Sequence, residues 1–318
     1  MLNNTMSNIT DVAPPSATER NVQLGFYIFT LVIGFCGNSL VIAVIAGKRH
    51  KKSVYDLFIL NLGISDFSFV VVFMPISIYE HLKGIYKTVY FCRLVPLLVS
   101  ACYFSSMFSI TSMVIVRCKY ITNPFKPKMK KCSAHICIAF IWISSLIIML
   151  PLSIVAKVDG GVCYENWPAL NHRKAHTLAL SILQFLLPLF IISVAYIRVG
   201  IYLWRSTALQ NSLSEVKKKK EQKRRKENMQ AIKTLAMIVI LFTICLLPGQ
   251  IAWLLLDFGG KQGLEVAKLF FKFSDILDCL HACVNPIVQG LLREIRKEYK
   301  RYFLHYFTCM RHEVARAN

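Results

Sequence analysis

Seven blocks of mainly apolar residues, each 18 residues or longer, leave this chain few folds to choose from. They fall at about 23–47, 54–80, 90–121, 133–155, 176–204, 230–256 and 267–290. A hydrocarbon core about 30 Å thick takes roughly 20 residues of apolar helix, and a chain crossing lipid must satisfy its backbone polar groups internally. No barrel-like alternation appears, so each block reads as a membrane-spanning helix. Composition agrees: 17% of the 318 residues are charged, against nearer a quarter in a soluble domain. The first block follows 22 mostly polar residues and is too long for the apolar region of a signal peptide. The predicted fold is therefore an all-α membrane bundle of seven helices. Residues 1–22 form an N-terminal tail, 23–290 the helical domain and 291–318 a C-terminal segment.

Orientation follows from Lys and Arg in the short loops. Segments 48–52, 118–132, 205–233 and 291–318 hold 26 of the 38 such residues. That side is cytoplasmic, which puts the N-terminus outside and the C-terminus inside. The sequons at Asn3 and Asn8 then lie in the extracellular tail as glycosylation candidates. A net charge of +21 raises nucleic acid as a partner, but the excess is mostly cytoplasmic, as insertion demands. The basic run 217–227 would lie in solvent or against anionic headgroups. The expected partner is the lipid bilayer, with no nucleic acid.

One arginine closes the third block, in "SMVIVRCKYITNP" (112–124). Counting from Cys92, Arg117 lies 25 residues on, roughly 37 Å of helix. Cys92 is thus at the outer surface and Arg117 at the cytoplasmic end. Alone, Arg117 reads as a side chain snorkelling to the interface.

Other residues accompany it. Block one carries Gly37-Asn38; block two carries "LNLGISDF" with Asp66; Trp142 is mid-block four. Pro188 precedes Tyr196 by eight residues in block five, Pro248 is in block six, and block seven carries "NPIVQ" with Asn285 and Pro286. In this order they resemble the rhodopsin-like (class A) G-protein-coupled receptors over nearly the whole chain. The resemblance implies a receptor that passes a signal to a heterotrimeric G protein, with Arg117, Tyr196 and Lys233 lining the inner cavity. It also implies a Cys92–Cys163 disulfide, which the oxidising exterior would permit. A short amphipathic surface helix is expected after span seven, with Cys309 as a palmitoylation candidate.

Several switch positions depart from that family. Its Asp-Arg-Tyr is here Val116-Arg117-Cys118, its Cys-Trp-x-Pro is "CLLP" with Leu246 for Trp, and its Asn-Pro-x-x-Tyr ends in Gln289. Loss of the acid beside Arg117 implies either raised basal signalling or impaired coupling. No cofactor is expected apart from an allosteric sodium ion. The resemblance places that ion at Asp66, Ser106, Asn285 and Asn38, unless nearby His281 replaces or repels it.

For the ligand, Val99 stands where monoamine receptors carry an aspartate, and Cys279 stands where opsins carry a lysine. Both classes are disfavoured. "NPFKPKM" in the second cytoplasmic loop resembles the peptide-receptor branch, including galanin, somatostatin and allatostatin types. Asp275 and Asp278 are three apart and share roughly one helix face. Acids facing lipid are costly, so they should face the interior. With Glu80 and Asp257 on the rim they favour a cationic peptide, and Gln250, Trp253 and Phe271 supply pocket walls; the alternative is that the two acids bond each other or that Lys272 neutralises Asp275. An enzyme is not expected: there is no phosphate loop and no nucleophile elbow. The rival readings are a ligand scavenger that does not signal and a transporter or channel.

Overall fold

The computed structural model describes residues 17–48, 52–209 and 215–290. Within these, only the backbone is described for 206–209 and 215–221 and for positions 223, 224, 227, 231, 275, 289 and 290. Its elements in chain order are α1 (Ala17–Ala46), α2 (Val54–Lys83), α3 (Val89–Thr122), α4 (Lys131–Val155), β1 (Ala156–Asp159) and β2 (Val162–Glu165). There follow α5 (Leu170–Ser181), a π-helical turn (Ile182–Leu186), α6 (Leu187–Leu209), α7 (Glu215–Phe258) and α8 (Gly260–Gly290).

All seven apolar blocks form helices, with α5, the π turn and α6 making up the fifth. Six of the seven are long and apolar enough to cross a membrane. The seventh, α8, carries Lys261, Glu265, Lys268, Lys272, Asp275 and Asp278 in its outer part. Most helices overrun their apolar block. Span one begins at Ala17 with Glu19 in its first turn, where an acid complements the helix dipole. Span six reaches back to Glu215, through the basic run. Apolar length measures the lipid; a hydrogen-bonded helix has no reason to stop at its edge.

Local chemistry fixes the entries. Ser53 and Asp56 form a capping box: the Ser53 hydroxyl accepts from Asp56 N at 3.1 Å, and Asp56 Oδ2 accepts from Ser53 N at 2.8 Å. Lys48 reaches the same carboxylate at 2.7 Å, tying the end of α1 to the start of α2. Thr88 caps α3 by accepting from Phe91 N. Outside span four, β1 and β2 pair antiparallel from Ala156↔Glu165 to Asp159↔Val162. Their turn is Gly160-Gly161, with φ of +55° and +80°, the left-handed pair that a two-residue hairpin needs. The expected disulfide is present: Cys163 on β2 bonds Cys92 on α3, with Cα atoms 5.6 Å apart.

Proline explains two further features. In span five, Pro188 lacks the N–H that would reach back one turn. The helix widens just before it, and Leu187 N donates to Ile182 O across the π turn. In span seven, Pro286 leaves the Ala282 carbonyl without its helical donor. Asn38 supplies one across the bundle, its Nδ2 donating to Ala282 O at 2.9 Å. This works because Gly37 lets α1 approach closely; a Cβ there would lie 2.8 Å from the Pro286 ring. The Gly-Asn pair and the Asn-Pro pair are thus two sides of one contact. We expect Gly37→Val and Asn38→Ala each to lower the melting temperature of the purified protein. Overpacking costs about 1–3 kcal/mol, and an unsatisfied buried carbonyl about 1–3 kcal/mol. A wild-type melting curve for both would refute this account of the motif.

Candidate functional site

At the outer end two cavities open side by side. The first, about 560 Å³, lies between spans one, two, three and seven; Tyr27, Glu80, His81, Val99, Tyr103 and Asp278 contribute to its wall. The second, about 150 Å³, is bounded by spans three to six and β2, with Ser100, Glu165, His176, Gln184, Gln250 and Trp253 among its lining. The sequence-predicted ligand residues are therefore divided. Glu80, Val99 and Asp278 line the first cavity; Gln250 and Trp253 line the second. Phe271 lines neither of these two and packs edge-on behind Trp253, ring centroids 5.2 Å apart. The π turn brings Gln184 round to meet Gln250 at 3.5 Å.

The acids differ in setting. Asp278 sits where spans six and seven approach closely: a Cβ on Gly249 would be 3.2 Å from Asp278 Oδ2. Glu80 pairs with Lys87 at 2.5 Å and remains well exposed. Asp257, expected to add negative charge to the rim, does not. Arg173 Nε lies 2.8 Å from its Oδ1 and Thr177 donates to its Oδ2 at 2.5 Å, with the Asp257 side chain 2% exposed. This buried pair joins span five to span six, and its charge is spent internally. Lys272 lies 3.6 Å from Glu19 on span one. The side chain of Asp275 lies outside the described residues.

Midway down the bundle, Asp66 is fully buried. Ser106 donates to its Oδ1 at 2.7 Å and Asn285 Nδ2 to its Oδ2 at 2.6 Å. Three of the four residues expected around a sodium ion thus meet. Asn38 is turned away, with its amide donating to Gly34 O and Ala282 O. His281 Nε2 lies 4.0 Å from Asp66 Oδ1. A sodium shell needs oxygen lone pairs converging on one point. Here two donors and an imidazole surround the carboxylate, while the amide oxygens of Asn38 and Asn285 are buried with no hydrogen-bond partner among the described residues. A separate network ties spans two, three and four: Asn61 donates to Ser109 at 2.7 Å and accepts from Trp142 Nε1 at 2.9 Å.

At the inner end Val116 and Cys118 are buried and Arg117 is half-buried. Its guanidinium stands 4.5 Å from the centroid of the Tyr55 ring, a cation–π contact worth about 0.5–2 kcal/mol. Its Nε is buried with no hydrogen-bond partner among the described residues. The Tyr196 hydroxyl donates to Ile232 O on span six at 3.4 Å, and Lys233 beside it is exposed.

The family model of the seven-transmembrane receptors of the rhodopsin family matches residues 37–288. The chain belongs to that family. The receptor is 24% identical over 314 residues to the QRFP-like peptide receptor of Branchiostoma floridae, covering 94% of this chain and 81% of that one. To galanin receptor 2a of Danio rerio it is 28% identical, covering 87% and 77%. Squid rhodopsin shares the fold, with a TM-score of 0.75 at 22% identity over 94% of this chain and 89% of that one.

Within the receptor, Leu246 is buried in the main core and Pro248 interrupts span six. The side chain of Gln289 lies outside the described residues. So do Asn3, Asn8, Cys309 and the whole segment expected to form the surface helix. Tyr55, Tyr103, Gln184 and Glu165 escaped the sequence reading. Hydrophobic periodicity shows which face of a helix is buried, but not which partner it meets across the bundle.

Proposed function

We propose that this receptor stands in the plasma membrane with its N-terminus outside, binds a cationic peptide in the outer cavities and activates a heterotrimeric G protein. The observation that carries the reading is Asp278. It is an acid on the wall of the larger outer cavity, in a chain whose relatives include peptide receptors. A ligand with an Arg, a Lys or a free amino terminus complements it. The peptide's length suits two adjoining cavities better than a small amine does, and Val99 offers such an amine no charge.

The test is a screen of amidated and free peptides on cells expressing the receptor, read through a promiscuous G protein. Activation by a cationic peptide supports the proposal. Internalisation without activation would instead make the chain a scavenger, a reading favoured by the altered Val116, Leu246 and Gln289. Ligand-independent current in a membrane patch would make it a channel.

Basal activity gives a second check. With Val116 in place of an acid, Arg117 has no carboxylate beside it among the described residues and rests on Tyr55. We expect Val116→Asp to lower basal second-messenger output, because an adjacent carboxylate holds the guanidinium more strongly than a ring does. Unchanged output would count against raised basal signalling in the wild type.

A further inference from the structure

We infer that the second outer cavity is an arginine site built on Glu165, so that the peptide this receptor binds carries two cations. The inference rests on the reading of the outer cavities as the ligand site, and it adds a second charged anchor to Asp278.

Glu165 closes β2 and puts a carboxylate on the wall of the second cavity. The Trp167 indole donates to its Oε2 at 2.6 Å, which fixes the acid in place without neutralising it. Among the described residues no lysine or arginine pairs with Glu165. Its neighbours at the outer end are treated differently: Glu80, Asp257 and Glu265 have cations in Lys87, Arg173 and Lys268. A half-buried carboxylate with no cation of its own favours one brought by a ligand.

His176 lines the same cavity and packs against Trp167, ring centroids 5.1 Å apart. Its Nε2 is buried with no hydrogen-bond partner among the described residues, although buried polar atoms are nearly always met. Gln184 and Gln250 add side-chain amides to the wall, and Trp253 adds an aromatic ring. This set suits a guanidinium better than an ammonium. A guanidinium is planar, holds five donors in a fixed fork and stacks on aromatic rings, whereas an ammonium is a strongly hydrated point charge. At about 150 Å³ the cavity suits one side-chain head.

The two cavities adjoin across single residues. On span three Val99 lines the first and Ser100 the second. On span six Gln250 lines the second, and Gly249 before it lies so close to span seven that a Cβ would be 3.2 Å from Asp278 Oδ2. One short peptide can therefore engage both acids, Asp278 with one cation and Glu165 with an arginine.

The test measures retention of three mixtures of acetylated, amidated hexapeptides by the purified full-length receptor. The first carries two arginines at every pair of positions, with random uncharged residues elsewhere. The second replaces one arginine of each pair by citrulline, which keeps the shape and loses the charge; the third replaces both. The wild type should retain the first mixture at least about tenfold better than the second. Glu165→Gln keeps an acceptor for Trp167 and should abolish that gap, while still retaining the second mixture better than the third. Adding Asp278→Asn should remove this remaining preference. Equal retention of the first two mixtures by the wild type, or a gap that survives Glu165→Gln, overturns the arginine site and leaves the single-cation reading standing. Equal retention of all three overturns both. Should Glu165→Gln fail to fold, nitrogen-labelled histidine spectra of the native receptor decide. The first mixture must move the His176 signal more than the second does, and an equal response overturns the site.

Discussion

Arg117→Ala is expected to abolish G-protein activation by any agonist while leaving surface expression and ligand binding intact. The stability side of this expectation follows from the contacts. The substitution removes a cation–π contact worth about 0.5–2 kcal/mol. It also removes a buried Nε that has no hydrogen-bond partner among the described residues, and an unmet donor of that kind costs about 1–3 kcal/mol. The two nearly cancel, so folding has little reason to suffer. The functional loss is expected to be large because Arg117 is a half-buried cation at the inner end, the end at which the Tyr196 hydroxyl bridges to span six. Surface labelling and second-messenger output in the same cells make the comparison. Lost expression would show that Arg117 is structural.

Asp278→Asn should weaken agonist potency by about thirty- to several-thousand-fold, with expression unchanged. Truncating one partner of a desolvated charge pair costs ~2–5 kcal/mol, which converts to that range. Three other acids supply the contrast. Glu80 is well exposed and already paired with Lys87, so Glu80→Gln should cost less than about tenfold, since exposed pairs contribute about 1 kcal/mol or less. Asp257→Asn should lower stability through Arg173 and leave potency nearly alone. Asp275→Asn should behave like Asp278→Asn if its acid serves the same ligand. Dose–response curves for the four variants separate these cases. Wild-type potency in both Asp275→Asn and Asp278→Asn would end the cationic-ligand idea.

Much of this architecture was legible because lipid is an unforgiving solvent. Seven apolar blocks, the loop charge bias and one family-like residue in every span led to the bundle, and Cys92 and Cys163 were paired by resemblance. What escaped depends on side chains meeting across helices. Asp257 read as a rim charge because Arg173, 84 residues earlier in the chain, showed no link to it. Tyr55 carried no signal, since one aromatic at a helix start looks like any other. The division of the ligand residues between two cavities was equally hidden, for it follows from how the spans lean together. His281 was visible as an oddity near Asp66, but its bond to the Asp278 carbonyl was not.

The π turn of span five has a consequence for how that helix tolerates insertions and deletions. One surplus residue over Ile182–Leu186 offsets the two halves of the span by about 100°, the rotation of a single helical position. Deleting one residue there would restore a regular helix. It would swing His176 off the wall of the second cavity, while Tyr196 kept its place beside Ile232. Span five thus behaves as two rotors joined by a one-residue clutch. Residue-by-residue alignment of its outer half with relatives that lack the turn would be out of register by one.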